Sequence, residues 1–361
     1  MKILSYIIIS SLLYSCSNIK WSSFFDDDDD DNTKRNEKLM KSFEVEDEVL
    51  NKFEVKTEKE PEPQVVEKKK ELKKEQPKKV VAKKKSVKKK VVNKSKKTEV
   101  DKLPSKFIFP DDYPDNLKKL GKRAEKNWKK FKPILFEGEK FFLDINYMGV
   151  STGRIVISTL DPILIGDKKA YHFNAKVKTS SYYSYLYELD DTVDSYVGVD
   201  AHLPLKFSLI QRETDKDVDD LQLFDIDTLK TYSFYKKVTP KKTKKKKKEE
   251  YIPSHYVDPL SIIYFLRGLP MIKGNTYEVP IMNQGKIILL NTRVLGTTEI
   301  KTKIGTKKAY IMKASTKYSG DTLKSGDMTF WFSADEKRIF LKFEAEIKIG
   351  SITGEIEKYE L

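Results

Sequence analysis

Val257-Asp258-Pro259-Leu260-Ser261-Ile262-Ile263-Tyr264-Phe265-Leu266-Arg267-Gly268-Leu269-Pro270 is the most apolar run of the chain outside its N-terminus. It is punctuated as a helix at both ends. Asp258 can accept from free backbone N–H groups, and Pro259 suits a first helical position because it has no N–H to leave unpaired. At the far end Arg267 stands where the helix dipole favours a cation, Gly268 offers a left-handed stop, and Pro270 forbids continuation. The large apolar side chains from Leu260 to Leu266 are too many for a surface helix. Burying them contributes up to ~10 kcal/mol. The segments on either side read as strands, so the stretch predicts a short buried helix over 258–267 that joins two β-rich halves.

Working outward, the first half begins near 134. Residues 140–147 and 154–158 are rich in β-branched and aromatic residues, with Gly149 and Gly153 between them, which predicts a hairpin. Further strands are expected at 169–177, 182–189, 192–199, 205–211 and 231–237. After the helix they are expected at 276–281, 286–292, 297–302, 309–316, 328–333, 340–346 and 354–359. The chain also repeats itself. Ile165-Gly166-Asp167-Lys168-Lys169-Ala170-Tyr171 recurs as Ile304-Gly305-Thr306-Lys307-Lys308-Ala309-Tyr310, and Leu205-Lys206-Phe207 recurs downstream as Leu341-Lys342-Phe343. Two matches in register indicate a duplicated β-meander. The fold class expected is therefore mainly β: one large curved antiparallel sheet or unclosed barrel, with halves at about 134–237 and 274–361. The lysines at 241–242 and 244–248 between the halves read as an exposed loop tip, since such a run cannot be packed.

The N-terminus reads as an address. Met1-Lys2 precedes an apolar stretch from Ile3 to Leu13 that is short for a membrane span. It ends in Leu13-Tyr14-Ser15-Cys16, which resembles a bacterial lipobox, and Cys16 is the single cysteine of the chain. The resemblance implies a signal peptide over 1–15 and diacylglycerol on Cys16, with acyl chains such as palmitate anchoring the protein in a membrane. In lipoproteins of this kind an Asp after the cysteine commonly signals inner-membrane retention. Ser17 instead points to the outer membrane, with the domain in the periplasm. One cysteine also means no intramolecular disulfide, so the fold must stand on its core.

The formal net charge is +15, and the charges are segregated. Residues 16–104 carry the anchor, an unbroken run from Asp26 to Asp31, and lysine triplets alternating with valine pairs. Such blocks bury too little to offset chain entropy, so this third is expected to be a disordered charged tether. A coil of ~90 residues reaches roughly 50 Å. Residues 105–133 form a basic helical region, with Leu117, Leu120, Ala124, Trp128 and Phe131 on one face. That stripe can dock on the following β-domain or lie on an anionic membrane; docking is the preferred alternative.

No catalytic constellation emerges. Gly149-Val150-Ser151-Thr152-Gly153 matches a nucleophile-elbow pattern, but a strand follows it where the elbow needs a helix. His172, His202 and His255 are isolated, and no metal-ligand spacing or phosphate loop appears. An enzyme, a cofactor and a nucleic-acid partner are not expected.

Phe136-Glu137-Gly138-Glu139, the glycines at 149 and 153, Asp258-Pro259-Leu260-Ser261, Leu266-Arg267-Gly268-Leu269-Pro270, Trp331-Phe332-Ser333-Ala334-Asp335 and Gly350-Ser351-Ile352 together resemble a bacterial envelope family known as domain of unknown function 3108, over about 134–361. Its architecture looks similar to the lipoprotein-carrier group, in which an unclosed curved sheet wraps a helix and an apolar cavity. The resemblance implies no activity. It frames two expectations: a binding module for an apolar or lipid-like ligand, or a scaffolding lipoprotein that contacts peptidoglycan or another envelope protein. For the first, Ile262, Tyr264, Phe265 and Arg267 are the candidate ligand-binding residues, with Tyr264 and Arg267 expected at the cavity mouth.

Overall fold

The computed structural model describes residues 29–57, 107–318, 327–347 and 350–361. The expectations for the signal peptide, Cys16 and the lysine triplets lie outside these residues. Strands β1 (Val55–Thr57), β2 (Lys140–Tyr147), β3 (Val150–Ile165), β4 (Lys168–Thr179), β5 (Leu189–Gly198), β6 (Pro204–Glu213), β7 (Lys216–Asp225), β8 (Lys230–Val238) and β9 (Thr243–Tyr251) make the first half. The second comprises β10 (Thr276–Asn283), β11 (Lys286–Thr302), β12 (Gly305–Tyr318), β13 (Met328–Ser333), β14 (Phe340–Glu346) and β15 (Ser351–Glu360). All pair antiparallel in one fifteen-stranded sheet of order 10-11-12-13-14-15-2-3-4-5-6-7-8-9, with β1 added beside β3. The last strand, β15, lies against the first of the long strands, β2, while β9 and β10 remain unpaired with each other. The sheet is curved and unclosed.

The duplication is visible in the topology. The Ile165 and Ile304 motifs occupy the β3–β4 and β11–β12 turns, and the Leu-Lys-Phe triplets lie in β6 and β14. Register irregularities recur as well. β5–β6 slips between Tyr196 and Val197, leaving Leu205 extra, where β13–β14 slips between Trp331 and Phe332, leaving Leu341 extra; β3–β4 and β11–β12 also slip, at different distances from the repeated motif. A bulge re-aims and bends its strand, so the shared bulge turns β6 and β14 alike at that point.

Among the described residues five helices decorate the sheet: α1 (Asp29–Lys41), α2 (Asp47–Lys52), α3 (Asp115–Trp128), α4 (Ser181–Ser184) and α5 (Ser261–Gly268). α5 sits on the concave side. α3 docks there too, with Leu117, Leu120, Ala124 and Trp128 buried, the Asn127 amide donating to the Glu278 carbonyl at 2.8 Å, and the Trp128 ring 4.2 Å from that of Phe265. Gly121 is needed for this approach, because a Cβ there would meet Ser254 Oγ at 2.3 Å.

Three expectations are corrected. The charged third is not a continuous tether: residues 29–57 form α1, α2 and β1 and close a second core on the convex face, where Leu39, Met40 and Phe53 pack with Leu221, Leu223 and Phe234. The lysine run 244–248 is not a loop tip but most of edge strand β9, whose side chains stay largely in water. Lysines suit such an edge because they discourage pairing with another chain. Residues 182–189 do not form a strand; α4 and a turn carry Tyr182, Tyr185 and Leu186 outward, 56 %, 93 % and 62 % exposed. β7, with its Asp217, Asp219 and Asp220, is a strand that hydrophobic patterning misses.

Candidate apolar binding site

Helix α5 owes its place to a buried polar clamp at each end. At the first, Asp258 is fully buried; its Oδ1 accepts the backbone N–H groups of Leu260 (2.9 Å) and Ser261 (2.8 Å), as an N-terminal cap should. Its Oδ2 accepts the Ser195 hydroxyl at 2.5 Å, which pins the helix start to β5. Burial pushes the Asp258 carboxyl up, and the bonds from Ser195, Ser261 and Leu260 hold it back. At the other end Arg267, also fully buried, makes a bidentate pair with buried Glu139 at 2.5 and 2.7 Å and donates to the Lys337 carbonyl. The Tyr359 hydroxyl completes Glu139, and Arg338 donates to the carbonyls of Arg267 and Leu269, acceptors that a helix end leaves free. Gly268 does not supply the expected left-handed stop, since its φ is not positive. It is small because a Cβ would run into the Phe131 ring at 2.3 Å.

Between the clamps the helix roofs an apolar cavity of about 90 Å³. Pro259, Leu260, Ile262 and Ile263 form the roof; Ile155, Ile157, Ala175 and Val193 line one wall, and Met328, Phe330, Phe340 and Phe343 the other. Thr316 and Glu344 are the polar residues among its lining. A water needs roughly 10–15 Å³, and an apolar hollow of about 150 Å³ stays dry and takes up a benzene ring. The cavity thus has the size and chemistry for a short alkyl segment. Whereas Phe340 opens β14 from the other end, Ile155, Ile157, Ala175, Val193, Met328 and Phe330 come from the parts of β3, β4, β5 and β13 at the sheet end that carries the 148–149 and 180–188 connections. The exposed side chains of Met148, Tyr182, Tyr185 and Leu186 belong to that same rim.

The candidate residues separate. Ile262 lines the cavity. Tyr264 and Phe265 face a second hollow of about 20 Å³, beside Tyr171 and Phe173. Tyr264 is buried, its ring stacked at 3.8 Å on Phe173 and its oxygen accepting from Thr159 at 3.2 Å; burial raises its phenol far above the ordinary range. Arg267 lines neither hollow. The expectation that Tyr264 and Arg267 mark the mouth is therefore corrected: a guanidinium locked on a buried carboxylate is a structural fastener. Sequence reasoning missed the aromatic wall of Phe330, Phe340 and Phe343; the concentration of phenylalanines in two neighbouring strands, β13 and β14, was the available signal.

The histidines are held structurally. His172 Nε2 lies 2.9 Å from Asp194 Oδ1 and the ring stacks on Tyr196 at 4.4 Å, while His255 sits between Phe107 and Trp128, its pKa pushed down to about 4 by burial. Gly149 forms a hairpin turn with Met148, both at positive φ (85° and 49°), and the rest of the elbow-like motif opens strand β3 rather than a helix. Among the described residues no cluster of three metal-ligating side chains occurs, and no helix is long and apolar enough to cross a membrane.

Solved structures offer distant likenesses. A β-barrel-like protein of domain of unknown function DUF1849 from Brucella abortus is 10 % identical, the match covering 62 % of this chain and 97 % of that one with a TM-score of 0.42. A provisionally named lipoprotein from Parabacteroides distasonis is also 10 % identical, covering 64 % and 99 %, with a TM-score of 0.30. A provisionally named exported protein with a YmcC-like fold from Bacteroides fragilis is 11 % identical over 64 % and 99 %, again at 0.30. No curated protein matches the sequence. The profile described as Protein of unknown function (DUF3108) matches residues 143–357, which take in α5, the cavity walls and both meanders, and the chain belongs to that family.

Proposed function

We propose that the protein is a lipid-anchored envelope lipoprotein whose β-domain is a non-enzymatic binding module for an apolar, lipid-like ligand. The observation that carries this is the apolar hollow under α5, lined by large apolar side chains of the sheet's core. Acylation of Cys16 supplies the anchor, and Ser17 favours the outer membrane with the domain in the periplasm. An acyl chain enters past the rim that carries Tyr182, Tyr185 and Leu186, and its terminal segment fills the hollow beside Ile262. A longer stretch needs Phe340 or Phe343 to turn aside, since about 90 Å³ does not hold a whole lipid.

The test is lipid extraction of the purified protein with mass spectrometry, followed by calorimetric titration with laurate. Ile262→Trp, which fills the hollow, should weaken laurate binding by about tenfold or more while the protein stays folded. A wild-type protein that carries no lipid and does not bind laurate overturns the proposal. The modest size of the hollow favours a second reading, a scaffold whose rim docks on another envelope protein and whose 64–104 segment meets peptidoglycan. Loss of peptidoglycan pull-down on deleting 64–104 would support it.

A further inference from the structure

The N-terminal arm was expected to hold the β-domain at a distance from its membrane, and its contacts argue the reverse. Residues 29–57 are built into the convex face by several independent kinds of bond. Leu39, Met40 and Phe53 are buried against Leu221, Leu223 and Phe234, and the Phe43 ring lies 5.6 Å from that of Phe234. Asn36 Oδ1 accepts the Ser208 hydroxyl at 3.0 Å, and the Asn32 amide donates to Asp194 at 3.3 Å. Lys52 pairs at 2.7 Å with Asp225, whose side chain is only 5 % exposed. The Gly166 N–H donates to the Glu54 carbonyl at 2.8 Å, and β1 pairs with Ile163, Leu164 and Ile165 of β3. A segment joined by a core, an ion pair and a strand is part of the domain.

Chain arithmetic then sets the geometry. Only the twelve residues 17–28 separate Cys16 from Asp29. As a coil they span about 20 Å, and fully extended they reach no more than about 45 Å. A leash of the whole 17–104 segment would span roughly 50 Å and extend to about 300 Å. Residues 58–106, which hold the lysine triplets, run from Thr57 on β1 to Phe107 beside His255, two points on the same folded body. Whatever their conformation, they cannot set the distance from membrane to domain.

We infer that residues 29–57 are a strap that holds the β-domain close against the membrane carrying Cys16, and that the 58–106 segment does not set that distance. The membrane half of this inference rests on the acylation of Cys16; the strap itself does not. The experiment uses the full chain in isolated membranes, with a specific protease site inserted between residues 80 and 81. After cleavage in native buffer, residues 107–361 should remain in the membrane pellet and, in mild detergent, co-elute with the tagged N-terminal fragment. Cleavage at a site placed within 17–28 should release the domain. Leu39→Asp should loosen the strap, so that cleavage between 80 and 81 then frees most of the domain, with circular dichroism of the released piece confirming that it is folded. Release of wild-type 107–361 after the 80/81 cut, with the fragments eluting separately, overturns the strap. If the uncut chain and its Cys16→Ser variant are equally soluble, the anchor fails instead, and co-elution of the fragments still decides the strap.

Discussion

The two meanders share a repeated motif and the bulge of β5–β6 and β13–β14, yet they sit in different surroundings. In β6 every residue from Leu205 to Ile210 is buried, on both faces of the sheet. In β14 the matching run alternates: Leu341, Phe343 and Ala345 are buried, Lys342 and Glu344 are half-buried, and Glu346 is exposed. The inward residues agree because both halves wrap the same concave core. The outward residues diverge because the arm covers β5 to β8 of the first half. One matched pair shows the consequence most directly. Lys206 lies over the Tyr196 ring at 5.9 Å and Lys342 over the Trp331 ring at 5.4 Å, in equivalent places beside equivalent bulges. Only Lys206 is buried. The duplication reproduces local geometry, and burial then decides what the same residue costs or contributes.

The largest effect should come from breaking the junction that both halves share. Glu139 precedes β2, Arg267 ends α5, and the Lys337 carbonyl and Arg338 belong to the β13–β14 connection. Arg267→Met leaves a carboxylate buried without its partner. Urea denaturation should show a loss of about 3–5 kcal/mol, felt in both halves at once. A loss below about 1 kcal/mol would mean that Glu139 finds water or another cation.

Uncovering one half should come next. Leu39→Ala removes buried methyl groups from the convex core and should cost about 2–4 kcal/mol. Amide exchange should quicken along β5 to β8 and remain unchanged along β11 to β14, because the arm touches only the first half. Equal quickening in both halves would show that the sheet opens as one unit.

These contrasts also explain what was legible in the sequence. Alternating apolar residues, the repeated Ile-Gly turn and the end signals of α5 disclosed a curved, unclosed sheet with a buried helical joint. The arm escaped because its apolar residues are diluted by Asp, Glu and Lys. Leu39, Met40 and Phe43, then Val49, Leu50 and Phe53, keep helical spacing, and that was the overlooked signal. β7 and β9 escaped because hydrophobic patterning discounts Asp-rich and Lys-rich strands, although one is covered and the other is an edge. Tyr182 to Leu186 looked like a strand because aromatic residues favour strands, yet Tyr182, Tyr185 and Leu186 project from a rim while Tyr183 is buried. At the site, Ile262 lines the cavity, whereas Arg267 could not be placed until its carboxylate partner, far away in sequence, was known.

The pH dependence of the first half separates its buried groups. Burial pushes Asp191 up to about 8 and Asp220 up to about 7, from an ordinary 3.8. Between pH 4 and those values the unfolded chain has given up protons that the folded chain keeps, so these carboxyls make stability fall as pH rises. Lys206 acts in the opposite sense at higher pH. Burial lowers it from 10.5 to about 8, so between those values the unfolded chain holds a proton that the folded chain has released, and stability rises with pH. Chemical denaturation across this range should therefore show the folded state weakest near pH 8. A curve that falls steadily from pH 8 to 10.5 contradicts the assignment for Lys206.

The matched lysines give the finest test of the comparison. At pH 7 Lys206 is protonated in the folded and the unfolded chain, and unlike the half-buried Lys342 it bears the full cost of a charge held out of water. Its shift corresponds to roughly 3 kcal/mol, from which the lost stem packing and ring contact must be subtracted. Lys206→Met should therefore raise stability by about 1–3 kcal/mol at pH 7, and the gain should fade towards pH 10.5 as the wild-type ammonium deprotonates. Lys342→Met, at a half-exposed site with the same aromatic neighbour, should change stability by less than about 0.5 kcal/mol at any pH. If the two substitutions behave alike, the arm does not seal the convex face. If Lys206→Met destabilises at pH 7, the attraction of Asp194 and Glu37 outweighs the cost of burial, and the lysine is there to hold the strap.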